Sequence, residues 1–215
     1  MIDLHTHSLF SDGVLLPSEL VYRAKVKGYT AIALTDHGDF STIDFVIPRI
    51  KRIAAELGRH YQLTVIPGIE ITYVPPALIA KAVKAARKLG ANIVVVHGET
   101  PAETVPPWTN RAAILSGADI LAHPGHITEE EVKLARQKGI ALEVTTRSGH
   151  NKTNRHVAQL AKKCGAKLVL DTDTHAPGNL LDAAKIKQVL RMSGLHETDF
   201  AEMESNSRDI IKKRI

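Results

Sequence analysis

Seven short aliphatic runs alternate along this chain with longer segments of helical periodicity. That alternation builds a parallel sheet through successive βα units. The runs are Ile2 to Leu4, Ala31 to Leu34, Leu63 to Ile66, Ile93 to Val96, Ile120 to Ala122, Ala141 to Val144 and Leu168 to Leu170. Helix ends are marked between them by proline near the start and glycine just past the end. The pattern predicts helices over Pro17 to Lys27 before Gly28, Ile43 to Leu57 before Gly58, and Ala77 to Leu89 before Gly90. Pro48 is placed to kink the second of these or to delay its start. Thr128-Glu129-Glu130-Glu131 is a capping box, opening a helix that runs to Lys138 before Gly139. Further helices are expected over Asn154 to Lys163, Leu181 to Arg191 and Ser207 to Arg214. No linker or composition break interrupts the 215 residues. They are expected to form one domain, 1–215, because an α/β barrel of about 200–250 residues is a single unit.

Composition narrows the classes of function. With 44% hydrophobic and 24% charged residues the chain can bury a core, which excludes a disordered chain. Aromatic residues make up only 4%, so stacking platforms for single-stranded nucleic acid are poorly supplied. Lys and Arg number 28 against 23 Asp and Glu, and the net charge of +5 suits an anionic ligand without demonstrating nucleic-acid binding. Cys164 is the only cysteine, which excludes a disulfide framework and thiolate-rich metal sites and suits a reducing cytoplasm. No segment has the form of an export signal or reaches the ~18–20 apolar residues of a membrane span. A cytoplasmic protein with no membrane partner is expected.

Nearly every aliphatic run ends in a residue able to hold a metal. His5 and His7 follow the first, His37 the second, Glu70 the third, His97 the fourth, His123 the fifth, and Asp173 with His175 the seventh. A closed parallel barrel gathers all C-terminal strand ends on one face, so these residues would surround a single cavity. Alternation along an extended chain lets His5-Thr6-His7 and Asp173-Thr174-His175 each present two ligands to the same side. Any one of these histidines alone reads equally well as a satisfied structural side chain; their shared register is what carries the inference. Imidazoles and carboxylates without thiolates suit zinc, manganese or iron, and the candidates exceed what one ion can use. Two or three divalent ions are expected.

These motifs resemble the PHP (polymerase and histidinol phosphatase) family. Asp3-Leu4-His5-Thr6-His7-Ser8 with Ser11-Asp12-Gly13 is similar to its first motif and Thr35-Asp36-His37-Gly38 to its second. Gly68-Ile69-Glu70, His97-Gly98, Ala122-His123-Pro124-Gly125 and Asp173-Thr174-His175 follow in family order across nearly the whole chain. The resemblance implies a distorted seven-stranded (β/α)7 TIM-like barrel with a trinuclear metal centre and hydrolysis of phosphate esters. It implies one metal on His5, His7, Glu70 and Asp173, a second on Asp12, His37 and His175, and a third on Glu70, His97 and His123. Some members carry histidine where Asp12 stands. The amidohydrolases also begin with His-x-His, but they expect a metal-bridging lysine near the fourth strand, where Glu70 and His97 stand here.

A phosphate ester resists nucleophiles because its oxygens are negative. Cations about 3.5–4 Å apart neutralise that charge and lower the pKa of a bridging water. The expected route is therefore attack by metal-bridging hydroxide, with Glu70 and Asp173 at the reacting centre. No G-x-S-x-G elbow or Walker A loop argues otherwise. The sixth run ends in Glu143-Val144-Thr145-Thr146-Arg147-Ser148-Gly149-His150-Asn151, with no ligand assigned. There Arg147 offers a planar fork for phosphate, and His150 can donate to phosphate or protonate a leaving alcohol. A solvated loop with Arg147 paired to a carboxylate is the alternative. His126 is a further substrate-binding candidate, while Asp36 and Asp171 are expected to orient ligand imidazoles. Lys81, Lys84 and Lys88 read as a solvated helix face, His60, His156 and His196 as non-ligands, and Trp108 as a packing residue. The leading expectation is a phosphatase for a small phosphorylated substrate, with histidinol phosphate the first candidate. A phosphodiesterase or exonuclease on nucleotides or nucleic-acid ends is the alternative, and a non-catalytic metal-stabilised module the third.

Overall fold

A computed structural model describes all 215 residues. In chain order the first half comprises β1 (Ile2–Asp3), α1 (Pro17–Val26), β2 (Ala31–Leu34), β3 (His37–Gly38), α2 (Ile43–Tyr61), β4 (Thr64–Ile71), α3 (Pro76–Leu89) and β5 (Ile93–His97). There follow α4 (Thr109–Leu115), β6 (Ile120–Ala122), α5 (Glu129–Lys138), β7 (Ala141–Thr145), α6 (Asn154–Cys164), β8 (Leu168–Asp171), α7 (Ala183–Ser193) and α8 (Glu197–Arg214). All strand pairs are parallel, in the order β1-β2-β4-β5-β6-β7-β8. The short β3 continues the line of β2 and pairs with β4, so seven strand positions remain, as the seven runs predict. The sheet closes where Thr6 bridges Thr174, with His7 N–H donating to the Thr174 carbonyl at 2.8 Å and Asp173 N–H to that of His5 at 2.9 Å. The fold is a seven-stranded α/β barrel of the TIM type.

Strand alternation splits the core in two. Ile2, Leu4, Ala31, Ala33, Ile66, Ile93, Val95, Ile120, Ala122, Ala141 and Val169 point inward and fill the barrel. Their neighbours, Ile32, Leu34, Val94, Val96, Leu142 and Val144 among them, point outward into the layer beneath the helices. Ile210 and Ile211 of α8 pack against the inner cluster and plug the N-terminal end, leaving the opposite end open for polar side chains. Buried Asp119 latches this plug, accepting from Arg214 Nε at 2.6 Å, from the Arg87 guanidinium at 2.5 Å and from the Val94 amide at 2.9 Å. Asp119→Ala strands two cations and is expected to cost about 3 kcal/mol. Urea unfolding measures this, and a loss below about 1 kcal/mol would reduce the latch to a surface contact.

Several elements differ from their sequence expectation. Helix α2 runs unbroken through Pro48 and Gly58 and ends at Gln62 in the left-handed region. Gly58 stands there because a Cβ would lie 2.8 Å from the Leu63 carbonyl, where the chain turns back into β4. Strand β4 continues through Pro67-Gly68, which reads as a stop, and so carries Glu70 within the sheet. Helix α8 begins at Glu197, ten residues before Ser207, and α4 has no clear sequence signal. The capping box holds: Thr128 Oγ1 accepts from the Glu131 amide, and the Glu131 carboxylate accepts from the Thr128 amide at 2.9 Å. No helix is long and apolar enough to cross a membrane.

Candidate metal centre

The first turn after β1 carries His5 and His7, buried completely at the open end of the barrel. Across from them Glu70 rises from β4 and Asp173 from the segment after β8. His5 Nε2 lies 3.4 Å from Glu70 Oε1 and 3.9 Å from Asp173 Oδ1, and His7 Nε2 lies 3.2 Å from Asp173 Oδ1. A second cluster joins His7, Asp12, His37 and His175, with Asp12 Oδ1 3.1 Å from His175 Nε2 and 3.6 Å from His37 Nε2. A third joins His97, His123 and His150, while Glu70 Oε1 reaches to 3.7 Å from His123 Nε2. All nine sequence-derived ligand candidates therefore meet in adjoining clusters at the open end of the barrel, with Glu70 between them. Asp12 is the outlier, its side chain 56% exposed.

Backbone geometry serves this convergence. His123 and Asp173 hold φ values of 25° and 52°, a region non-glycine residues occupy only when the surroundings force it. After His123, Gly125 is required twice: its φ is 64°, and a Cβ would collide with the Glu99 carbonyl of the neighbouring loop.

The imidazoles are oriented for cations. His5 Nδ1 lies 2.7 Å from Glu143 Oε1, His97 Nδ1 3.0 Å from the Gly98 carbonyl, and His175 Nδ1 2.9 Å from the Asp173 carbonyl. Each acceptor takes up Nδ1 and leaves Nε2 turned toward the other ligand candidates, the orientation that outer partners impose on metal ligands. His5 Nε2 and His7 Nε2 then face each other at 3.0 Å. Without a metal that contact demands a proton between two lone pairs; a divalent cation can take its place. Buried Glu70 Oε1, Asp173 Oδ1 and His123 Nδ1 have no hydrogen-bond partner, the further mark of a set built around something positive.

The electrostatics agree. Burial opposes charge on His5, yet Glu143, Glu70 and Asp173 hold its pKa well above the ordinary value. Burial likewise opposes charge on His37, but Glu70 beside it holds the pKa up to about 9. Burial would raise Glu70, but His5 and His37 keep it well below the carboxylate range; for Asp173, His5 and His7 do the same. His7 falls to about 4, chiefly through burial.

Other expectations are redistributed. Asp36 does not touch an imidazole; it accepts from Ser8 N–H, Ser8 Oγ and Ser11 Oγ at 2.7 to 2.8 Å and so shapes the loop between His7 and Asp12. Asp171 accepts from the Leu4 amide at 2.6 Å, a backbone tie beneath the site. The orienting carboxylate is Glu143, which also accepts from the His123 amide at 2.8 Å. A lone acid two residues after inward-facing Ala141 is the signal that identifies it. Thr72 Oγ1, 2.7 Å from His37 Nδ1, and Glu103, 3.2 Å from His97 Nε2, also join the site unannounced. Arg147 makes no ion pair with a carboxylate and lines a cavity of about 270 Å³ with Thr146, Asn151, Thr172, Asn179 and Lys185. His126 is exposed on the flank beside His156. Trp108 does not pack inward: it is 71% exposed and shares a shallow depression with His126. His60, His156 and His196 stay outside the metal clusters.

Comparison with known proteins gives the same direction. An uncharacterized protein of Methanocaldococcus jannaschii, MJ1295, is 47% identical over 195 residues, covering 90% of this chain and 89% of that protein. A protein of Clostridium novyi named a probable phosphatase is 26% identical over 88% of this chain and 85% of its own length. DNA polymerase/3'-5' exonuclease PolX of Bacillus subtilis is 24% identical over 91% of this chain, which spans only 38% of that enzyme. Among solved structures, a chain in the cryo-EM structure of archaeal ribonuclease P with mature tRNA superposes with a TM-score of 0.75 at 18% identity, covering 100% of this chain and 91% of its own. That last likeness is one of fold. A model of the PHP domain matches residues 3–142, from the Asp3 motif through β6 and into β7. Barrel, motif order and sequence match coincide: the chain belongs to the PHP domain family.

Proposed function

We propose that this metal-dependent phosphoesterase hydrolyses a small phosphate monoester at the open end of its barrel. The observation that carries the reading is the convergence of imidazole nitrogens with buried carboxylate oxygens, two of those oxygens without a hydrogen-bond partner, at the open end of the barrel. His5, His7, Glu70 and Asp173 would hold one divalent ion and Asp12, His37 and His175 a second, with zinc, manganese and iron all compatible with this donor set. Bound there, such ions neutralise phosphate charge and acidify water. The chain's own residues do the rest. Glu143 and the Gly98 carbonyl hold ligand rings in orientation, and Glu70 and Asp173 keep their charge at the reacting centre. Arg147 binds the substrate from the adjoining cavity, where Thr172 stands one residue before Asp173. His126 lies further out and would touch only a larger substrate.

Arg147 and Lys185 line that cavity and no carboxylate does, which favours a neutral or anionic organic group over the ammonium of histidinol. Histidinol phosphate, the substrate that the family resemblance suggests first, is therefore tested as the disfavoured member of a panel with sugar phosphates, nucleotides and a short oligonucleotide. The similarity to PolX supports the second reading, a phosphodiesterase or exonuclease. A cytoplasmic location, supported by the single free and buried Cys164, belongs to the same proposal. Turnover of one monoester by metal-reconstituted protein supports the phosphatase; cleavage of oligonucleotide alone replaces it with the nuclease; no cleavage at full metal loading leaves a non-catalytic module. Arg147→Ala is expected to raise KM about tenfold or more with metal content unchanged, the loss of one charge-assisted hydrogen-bonding partner. A fall in metal content in that variant would contradict the role.

A further inference from the structure

We propose that His150 and Glu103 complete a third cation site with His97 and His123, so that two loops outside the family motifs supply half of its ligands. The inference rests on the metal-dependent reading above and assigns His150 a different role from the proton donor expected from sequence. The ligand nitrogens of His97, His123 and His150 lie within 4.8 Å of one another, and all three residues are buried. His123 lies between the other two rings, 4.5 Å from His97 and 4.4 Å from His150, centroid to centroid. Glu103 reaches over from the loop after β5 and spans the pair, with Oε2 3.2 Å from His97 Nε2 and Oε1 3.4 Å from His150 Nε2.

Two observations separate this cluster from an ordinary ion pair. The Gly98 carbonyl holds His97 Nδ1, so Nε2 is the atom directed at Glu103 and the cavity. Nδ1 of both His123 and His150 is buried without a hydrogen-bond partner, which leaves each ring with donor or acceptor capacity that protein alone does not satisfy. A proton donor to a leaving alcohol needs an open approach, whereas His150 is only 6% exposed and packs against His123. Three imidazoles and one carboxylate, without a thiolate, form a tetrahedral set suited to zinc or cobalt. Glu103 stands at the solvent side with its side chain 43% exposed, so it closes a site whose inner wall is imidazole.

The test is to load the wild-type chain, His150→Ala, Glu103→Gln and Arg147→Ala with Co²⁺, remove the excess, and count ions per chain while recording the cobalt visible spectrum. The expected result is one fewer ion in His150→Ala, with loss of the corresponding tetrahedral band, and a full count in Arg147→Ala. Glu103→Gln is expected to bind that same ion at least about 10–100-fold more weakly, since that is already the cost of losing an outer partner and Glu103 is a direct ligand. Because Glu103 lies on a half-exposed loop, this variant decides the matter even where His150→Ala fails to fold. An unchanged count in His150→Ala, or unchanged affinity in Glu103→Gln, overturns the site. A wild-type chain that binds two ions with neither variant altering them overturns it too and leaves the phosphoesterase reading standing. A wild-type chain that binds no Co²⁺ removes both.

Discussion

Glu70→Gln is expected to lower turnover by more than the about 10²–10³-fold lost with a single electrostatic donor, because this one carboxylate serves more than one cluster. Its Oε1 lies 3.4 Å from His5 Nε2 and 3.7 Å from His123 Nε2, while Oε2 lies 2.6 Å from His37 Nδ1. The amide is nearly isosteric but removes the negative charge, so the positive groups around it lose their common counter-charge. Bound metal should fall with turnover. Glu70 is fully buried within β4, whose pairing with β3 and β5 is made by backbone, so circular dichroism should stay that of the wild type. His97→Ala should lose less, since it touches only the third cluster. Turnover of Glu70→Gln within tenfold of the wild type, at saturating substrate and metal, would contradict the assigned centre.

That prediction was open to the sequence alone, because Glu70, His97 and their neighbours end strands, and a barrel converts strand ends into one face whatever the loops do. The strand count and most helix limits were legible for the same reason: a period of two against 3.6, with glycine at the helix ends. What escaped was set by contacts between distant segments. Gly58 reads as a helix stop by local rules, yet the return of the chain at Leu63 requires a residue without Cβ inside the helix. Pro67-Gly68 reads as a break, yet the strand runs on because its partners flank it on both sides. Asp36 and Asp171 stand beside ligand residues in the sequence but bond Ser8, Ser11 and the Leu4 amide, whereas Glu143 reaches His5 across 138 positions of sequence. Glu103 and His150 meet through loops, and no periodicity places a loop side chain.

Metal uptake by this chain should release protons at neutral pH and tighten as the pH rises. His37, with its pKa up to about 9, and His5, well above the ordinary value, both carry a proton at pH 7 when no metal is bound. A cation can bind only the neutral imidazoles, so its entry expels those protons into buffer. With one proton displaced at each of the two sites, the apparent affinity for each ion should change about tenfold per pH unit below the folded-state pKa values, and the product for the pair about 100-fold. Stability follows with opposite signs in the two forms. A histidine whose pKa is raised on folding stabilises the metal-free fold fully below about pH 6.5, its unfolded value. That contribution is lost as the pH climbs through the folded value, here about 9 for His37. The metal-loaded fold loses nothing in that window, because its imidazoles are already neutral, and its ligand term grows with affinity. At free metal about 1,000-fold above Kd each ion contributes about 4 kcal/mol, or a Tm rise of about 8–16 °C for a chain of this size. The gap between the melting curves with metal and with chelator should therefore widen from pH 6 to pH 8.5. Calorimetry in two buffers of different ionisation enthalpy measures the proton count directly. A gap that stays constant or narrows, or uptake without proton release, would mean that His5 and His37 do not share their charge with the metal.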